Sequence, residues 1–124
     1  MRSVPTPEGD LCQVVAGAAD LCRRPLRHAV RLRGEGTPLD CELVVEARDP
    51  KGERCPQEDL ELELYRSGNQ LNLTLAWLRE PERPILWHGS HPVWMIAATG
   101  HRCERPQDGA ALEALARRLR ALLA

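Results

Sequence analysis

Leu11, Val14, Val15, Ala18, Leu21 and Cys22 recur at spacings of three and four, the mark of a helix with one apolar stripe. Asp10 suits its N-cap, Arg23 and Arg24 suit the negative C-terminal end, and Pro25 stops it. At Leu26 the period drops to two. Leu26, His28, Val30 and Leu32 alternate with Arg27, Ala29, Arg31 and Arg33. After the break Gly34-Glu-Gly-Thr-Pro38, Leu39, Cys41, Leu43, Val45 and Ala47 alternate with Asp40, Glu42, Val44 and Glu46. This is the signature of two half-buried strands. Charge suggests their register: Arg33 opposite Asp40, Arg31 opposite Glu42, Ala29 opposite Val44 and Arg27 opposite Glu46. Cross-strand pairs of opposite charge favour it, by a few tenths of a kcal/mol each at most, over a two-residue slip.

Residues 49 to 58 are polar, with Pro50, Gly52 and Pro56, and read as a loop. A third strand places Leu60, Leu62 and Leu64 inward and Glu61, Glu63 and Tyr65 outward. Gly68-Asn69 is a turn dipeptide. The return strand then sets Leu71, Leu73, Leu75 and Trp77 opposite Arg66, Leu64, Leu62 and Leu60. Glu80-Pro-Glu-Arg-Pro84 breaks it. A further short hairpin follows, with Gly89-Ser90 as a type II′ turn. His88 then pairs with His91, Trp87 with Pro92, Leu86 with Val93 and Ile85 with Trp94. Ile85, Trp87, Trp94 and Ile96 share the face expected to pack inward. Leu86, His88, His91, Val93 and Met95 form the face expected to make contacts, because exposed apolar patches tend to mark binding sites. The last segment is helical, with Asp108 as cap and a stripe of Leu112, Leu115, Leu119 and Leu122. Ala116 and Leu123 lie beside the stripe, and Glu113 sits four residues before Arg117.

The order is helix, four to six strands, helix, each with one apolar face. The simplest packing is a two-layer α+β domain: one curved antiparallel sheet with the N-terminal and C-terminal helices on one face. Residues 1–9 read as a flexible arm and 10–124 as a single domain. A chain of 124 residues buries roughly two-thirds of its unfolded surface. With no Phe and four aromatics in all, Leu, Val and Ala must fill the core.

Charge changes the picture little. The formal net charge is −1, so no overall field draws nucleic acid or an anionic membrane. Sixteen of the seventeen basic residues are Arg. A GC-rich coding bias accounts for that; an Arg-dependent anion site is the sharper alternative. Five Cys with no CxxC pair, and no apolar leader at the start, point to reduced thiols in a cytoplasm. No run approaches the roughly 18 apolar residues of a membrane span.

Three constellations carry possible chemistry. His88, His91, His101 and Cys103 could supply four zinc ligands, but their spacing matches no zinc pattern. A Cys–His pair would need a third, orienting residue, and none stands out. A curved sheet bearing Trp and Arg could stack bases and hold phosphates, and the element order resembles in outline that of the Whirly and PC4-like single-stranded-DNA binders. Against this, Arg27, Arg31 and Arg33 are matched by Asp40, Glu42 and Glu46. Gly34-Glu-Gly36 lacks the third Gly of a phosphate loop.

The run Leu86-Trp-His-Gly-Ser-His-Pro-Val-Trp-Met95, with Arg102-Cys-Glu-Arg-Pro106 and the helix after it, resembles the C-terminal half of short uncharacterised cyanobacterial proteins. The resemblance implies no activity and assigns no residue a role. The sequence therefore leads to an expectation of a cytoplasmic binding protein, not an enzyme, with no cofactor and with another protein (self or other) as partner.

Overall fold

The structure, a computed structural model, describes residues 7–37 and 40–124. Helix α1 spans Pro7–Cys22 and begins three residues before the expected cap at Asp10. Proline is favoured in a first helical turn, where its missing N–H costs nothing. The rest of the expected arm, residues 1–6, lies outside the described residues, as do Pro38 and Leu39.

The strands are β1 (Arg27–Thr37), β2 (Asp40–Arg48), β3 (Leu60–Ser67), β4 (Gln70–Trp77), β5 (Ile85–His88), β6 (Pro92–Met95) and β7 (Arg102–Cys103). Helix α2 spans Ala110–Leu123. The strands form one open antiparallel sheet in the order β1-β2-β3-β4-β5-β6-β7. The α+β class is as the periodicities indicate, but there are seven strands instead of four to six. The seventh is two residues long, too short to show a period of its own.

The inner face of this meander is mostly leucine. Leu43, Leu60, Leu62, Leu64, Leu73, Leu75 and Leu86 are fully buried, together with Val45 and Ala47. Leu11, Val15, Ala18 and Ala19 of α1 and Leu112, Leu115, Ala116 and Leu119 of α2 close over them in one core. Leu21 and Leu122, at the ends of the two apolar stripes, remain exposed. Gly109, with no side-chain cap bond, stands at the N-cap of α2, while Asp108 pairs with Arg83 instead of capping the helix.

The β3–β4 hairpin has the register the sequence indicates: Leu64 opposite Leu73, Leu62 opposite Leu75 and Leu60 opposite Trp77. Gly68 takes the left-handed φ of +62° that a tight turn needs.

The β1–β2 register differs by two residues. Arg31 faces Val44, and Arg33 faces Glu42. The parity is as expected, so Arg31 and Glu42 share the outer face without pairing directly. The ion pairs run diagonally to β2 or across it to β3: Arg31 Nε meets Glu46 Oε1 at 3.1 Å and Arg33 Nη1 meets Glu61 Oε1 at 3.1 Å. Guanidinium stems are long enough to reach a carboxylate two positions away, so charge matching does not separate the two registers. β1 continues through Gly34-Glu-Gly-Thr37, which read as a break, with an irregularity between Arg33 and Thr37. Val44, expected on a solvated face, is 2% exposed, flanked by the Arg31–Glu46 pair.

Asp59 ties one end of the sheet together. It is fully buried. Its Oδ1 accepts from the Ala47 N–H at 2.8 Å, and its carboxylate takes both Nη atoms of Arg54 at 2.9 and 2.7 Å. Burial alone would raise the Asp59 carboxyl, but these bonds outweigh it and hold the group below its ordinary value.

Leu119 lies at the centre of the helix–sheet contact, with no exposed surface. Leu119→Ala is expected to lower stability by about 2–5 kcal/mol, measured as a fall in the urea denaturation midpoint with an unchanged m-value.

Candidate functional site

The β5–β6 hairpin differs from expectation by one residue. Ile85 faces Met95, Leu86 faces Trp94, Trp87 faces Val93 and His88 faces Pro92, so three residues, Gly89 to His91, make the loop. A shift of one residue in pairing exchanges which side chains share a face. Leu86, His88 and Trp94 point inward, at 0%, 3% and 5% exposure. Ile85, Trp87, Val93 and Met95 are half-buried on the outer face, and Ile96 is exposed. The expected inward set therefore holds only for Trp94. The expected contact set divides into Leu86 and His88 in the core, Val93 and Met95 on the outer face, and His91 exposed in the loop.

The reason is Gly89. Its φ is not positive, so no type II′ turn forms. A Cβ at this position would come within 2.8 Å of both Asn72 Oδ1 and the Trp87 ring. The glycine is required there by space, not by backbone angle. Asn72 is itself buried, and Trp87 Nε1 donates to Tyr65 Oη at 2.7 Å. The loop is thereby packed against the outer face of β4, and Gln70 Nε2 donates to Ser90 Oγ at 3.0 Å. On the inner side, Trp94 Nε1 lies 3.5 Å from Glu113 Oε2, which also accepts from Arg105 Nη1 at 3.2 Å. These contacts fix the hairpin to α2.

Between the hairpin loop and the last turns of α2 lies an open groove of about 480 Å3, lined by His88, Ser90, His91, Pro92, Arg117, Arg120, Ala121 and Ala124. None of these side chains is acidic. Arg120 is held by its Nε, which donates to Leu71 O at 3.2 Å. His88 is held by Nδ1, 3.0 Å from Gly89 O. A carbonyl only accepts, so Nδ1 carries the proton and the neutral ring presents a bare lone pair at Nε2. That atom is buried and has no hydrogen-bond partner among the described residues. Burial lowers the His88 pKa from its ordinary value. The Gly89 bond and Glu113 oppose this, and Arg120 and Arg117 reinforce it.

His28 provides a comparison within the same inner face. Its Nδ1 lies 2.9 Å from Asp20 Oδ1, and its Nε2 lies 3.1 Å from Arg23 Nη1. Both ring nitrogens are used. A second hollow of about 240 Å3 near Trp77 holds the Arg23–Glu58 pair, and Asp108 on its wall pairs with Arg83.

The four potential zinc ligands are not brought together. His88 is in the groove and His91 at its rim, whereas His101 is exposed and Cys103 faces Trp94 in β7. Among the described residues, no group of three or more His, Cys, Asp or Glu is placed to hold a metal ion. Arg117 and Arg120 were legible only as charges suited to a helix C-terminus; no signal in the sequence joined them to the hairpin.

Two imidazoles with lowered pKa give a pH dependence of stability. Burial is the leading cause at His28 also, opposed by its bond to Asp20. The unfolded chain takes up these protons first, so stability is full above the ordinary imidazole value of about 6.5 and falls as the pH drops below it. Thermal melts from pH 7.5 to 5.5 should show this decline, and a His28→Gln/His88→Gln double variant should show a flatter one. Asp59 adds its own loss only lower, in the carboxylate range.

No curated protein and no solved structure matches the chain. Residues 12–122 match a domain of unknown function, DUF8659, and the chain belongs to that family.

Proposed function

We propose that this protein is a binding protein whose groove between the β5–β6 loop and α2 takes the anionic group of a small ligand. The observation that carries this is the lining: two guanidinium groups, Arg117 and Arg120, beside two imidazoles, with no acidic side chain among them. Guanidinium forks suit carboxylate and phosphate oxygens. Arg120 is held in place by its bond to Leu71 O, which lowers the ordering that binding requires of it. A reducing, cytoplasmic setting accords with the cysteine usage. No helix among the described residues is long and apolar enough to cross a membrane.

Calorimetric titration with inorganic phosphate and with citrate tests this. Binding of either should weaken about tenfold or more in Arg117→Gln, the loss expected for one charge-assisted hydrogen bond. Arg117 is exposed, so the variant should melt as the parent does. Equal affinity in parent and variant would remove Arg117 from the site.

A second reading, contact with another copy of the chain, is favoured by the outer face of the same hairpin. Ile85, Trp87, Val93 and Met95 lie there half-buried beside exposed Ile96, and a net charge of −1 sets up little repulsion between copies. On this reading, Val93→Ser/Met95→Ser abolishes a dimer that the parent shows in sedimentation velocity, with the fold retained. A parent that stays monomeric at high concentration excludes it.

A further inference from the structure

The sheet is open, so its two outer strands, β1 and β7, each leave one side unpaired. β7 is two residues long, and so short an edge offers little to pair with. β1 has 11 residues. We infer that the open edge of β1 takes an extended segment of another protein as an added strand, one with acidic residues at alternate positions.

The direction of the main chain on β1 follows from its neighbours. His28 faces Ala47, and Ala47 spends its N–H on Asp59 and its C=O on Cys55 and Arg54. The His28 N–H likewise turns away from β2 and donates to Asp20 Oδ1 of α1 at 2.8 Å. Antiparallel pairs alternate between bonded and unbonded. Val30 and Leu32, opposite Val45 and Leu43, therefore also direct their N–H and C=O groups away from β2. Among the described residues nothing bonds to them there. The main chain is open to water on this side: His28 is partly exposed although its side chain has no exposed surface. Asp20 closes the edge at the His28 N–H, and the irregularity between Arg33 and Thr37 closes it at the other end. Asp20 also lines a hollow of about 470 Å3 with Gly17, Leu21 and Leu26. Leu21 is exposed, so an apolar side chain just beyond the paired stretch has a surface to meet.

The outer face of the same strand selects the partner. Arg27, Arg31 and Arg33 are exposed on it, and an added strand sets its own outward side chains beside them. Each guanidinium already meets one carboxylate, of Asp20, Glu46 or Glu61. Exposed ion pairs are weak, and a fork of five donors has room for a second carboxylate. On the inner side Val30 and Leu32 pack against the core, so inward residues of the partner are apolar. A second copy of the chain does not suit this edge. A two-fold axis would set β1 antiparallel to β1. The registers that bond Val30 or Leu32 of one copy to Val30 or Leu32 of the other put Arg27 opposite Arg33, Arg31 opposite Arg31, or Arg31 opposite Arg33, and like charges directly opposite are destabilising.

Two capped octapeptides test this, one alternating Glu and Val, the other Lys and Val. Each is titrated into the whole isotope-labelled chain, and binding is read from amide hydrogen exchange. In the parent alone, the Val30 and Leu32 amides should exchange faster than those of Ala29 and Arg31, which bond to β2. Saturation with the Glu–Val peptide should slow Val30 and Leu32 about tenfold or more. The Lys–Val peptide should bind about tenfold more weakly or worse, because the cross-strand charge pairs change sign. Arg31→Gln/Arg33→Gln should weaken the Glu–Val peptide about threefold or more. The pairing also fixes which peptide amides point at β1. They are those of Val, so N-methylation of the Val residues should abolish binding and N-methylation of the Glu residues should not. Arg117→Gln should leave the protection unchanged, which separates this edge from the groove beside α2. Failure of the Glu–Val peptide to bind at millimolar concentration would overturn the proposal, leaving the Arg row as a guard against edge pairing. Equal binding of the Lys–Val peptide would overturn it, as would binding without protection of Val30 and Leu32. Protection of these amides in the parent alone, growing with protein concentration, would replace the acidic partner with a second copy and overturn it as well.

Discussion

Pleat parity governs this molecule. A strand offers alternate residues to its two faces, and both helices lie on one face of the meander, so inward residues of the central strands β2 to β5 are removed from water whatever their chemistry. In most positions that residue is Leu, and burial stabilises the fold. At position 88 it is His. The row that runs through Leu64 and Leu73 reaches His88 before Pro92, and an imidazole is desolvated there nearly as thoroughly as the leucines beside it. The groove is a consequence of the core. The same packing that buries Leu73 and Leu86 holds a polar ring at the margin of the sheet, where α2 ends and solvent begins.

Three other buried polar residues are compensated within the protein. Asp59 receives three hydrogen bonds within its end of the sheet. Arg23, 6% exposed, spans Glu58 and His28. Glu113, buried in α2, serves Arg105 and Trp94. Each is closed within the protein. His88 Nε2 and Trp77 Nε1 differ in that each is buried with no hydrogen-bond partner among the described residues.

What the sequence revealed depended on how local the determining physics was. The β3–β4 hairpin was legible in full, because Gly68 and Asn69 fix the register within two residues. The C-terminal helix was legible from its leucine spacing. The β1–β2 register was not, because Arg31 reaches Glu46 diagonally as readily as it would reach a residue directly opposite, so counting charges cannot separate registers two residues apart. The β5–β6 hairpin failed for a different reason. Gly89 invited a two-residue turn, whereas its true constraint is the approach of Asn72 and Trp87, a tertiary fact that no local pattern encodes. That one-residue error moved His88 from surface to core and hid its meeting with Arg117 and Arg120. The region was legible; the geometry was not.

The strict chain order of the sheet bears on how the protein is assembled. Each strand pairs only with its immediate predecessor and successor, so no pairing has to wait for a distant segment. Loop closure between neighbouring strands costs little entropy, and the β3–β4 strands are joined over only two residues. The sheet can grow outward from that hairpin in both directions. The packing of α1 on α2 joins elements near opposite ends of the chain. A topology of this kind has low contact order for a β-rich domain and folds faster than sandwiches of similar size, with few unpaired edges exposed on the way.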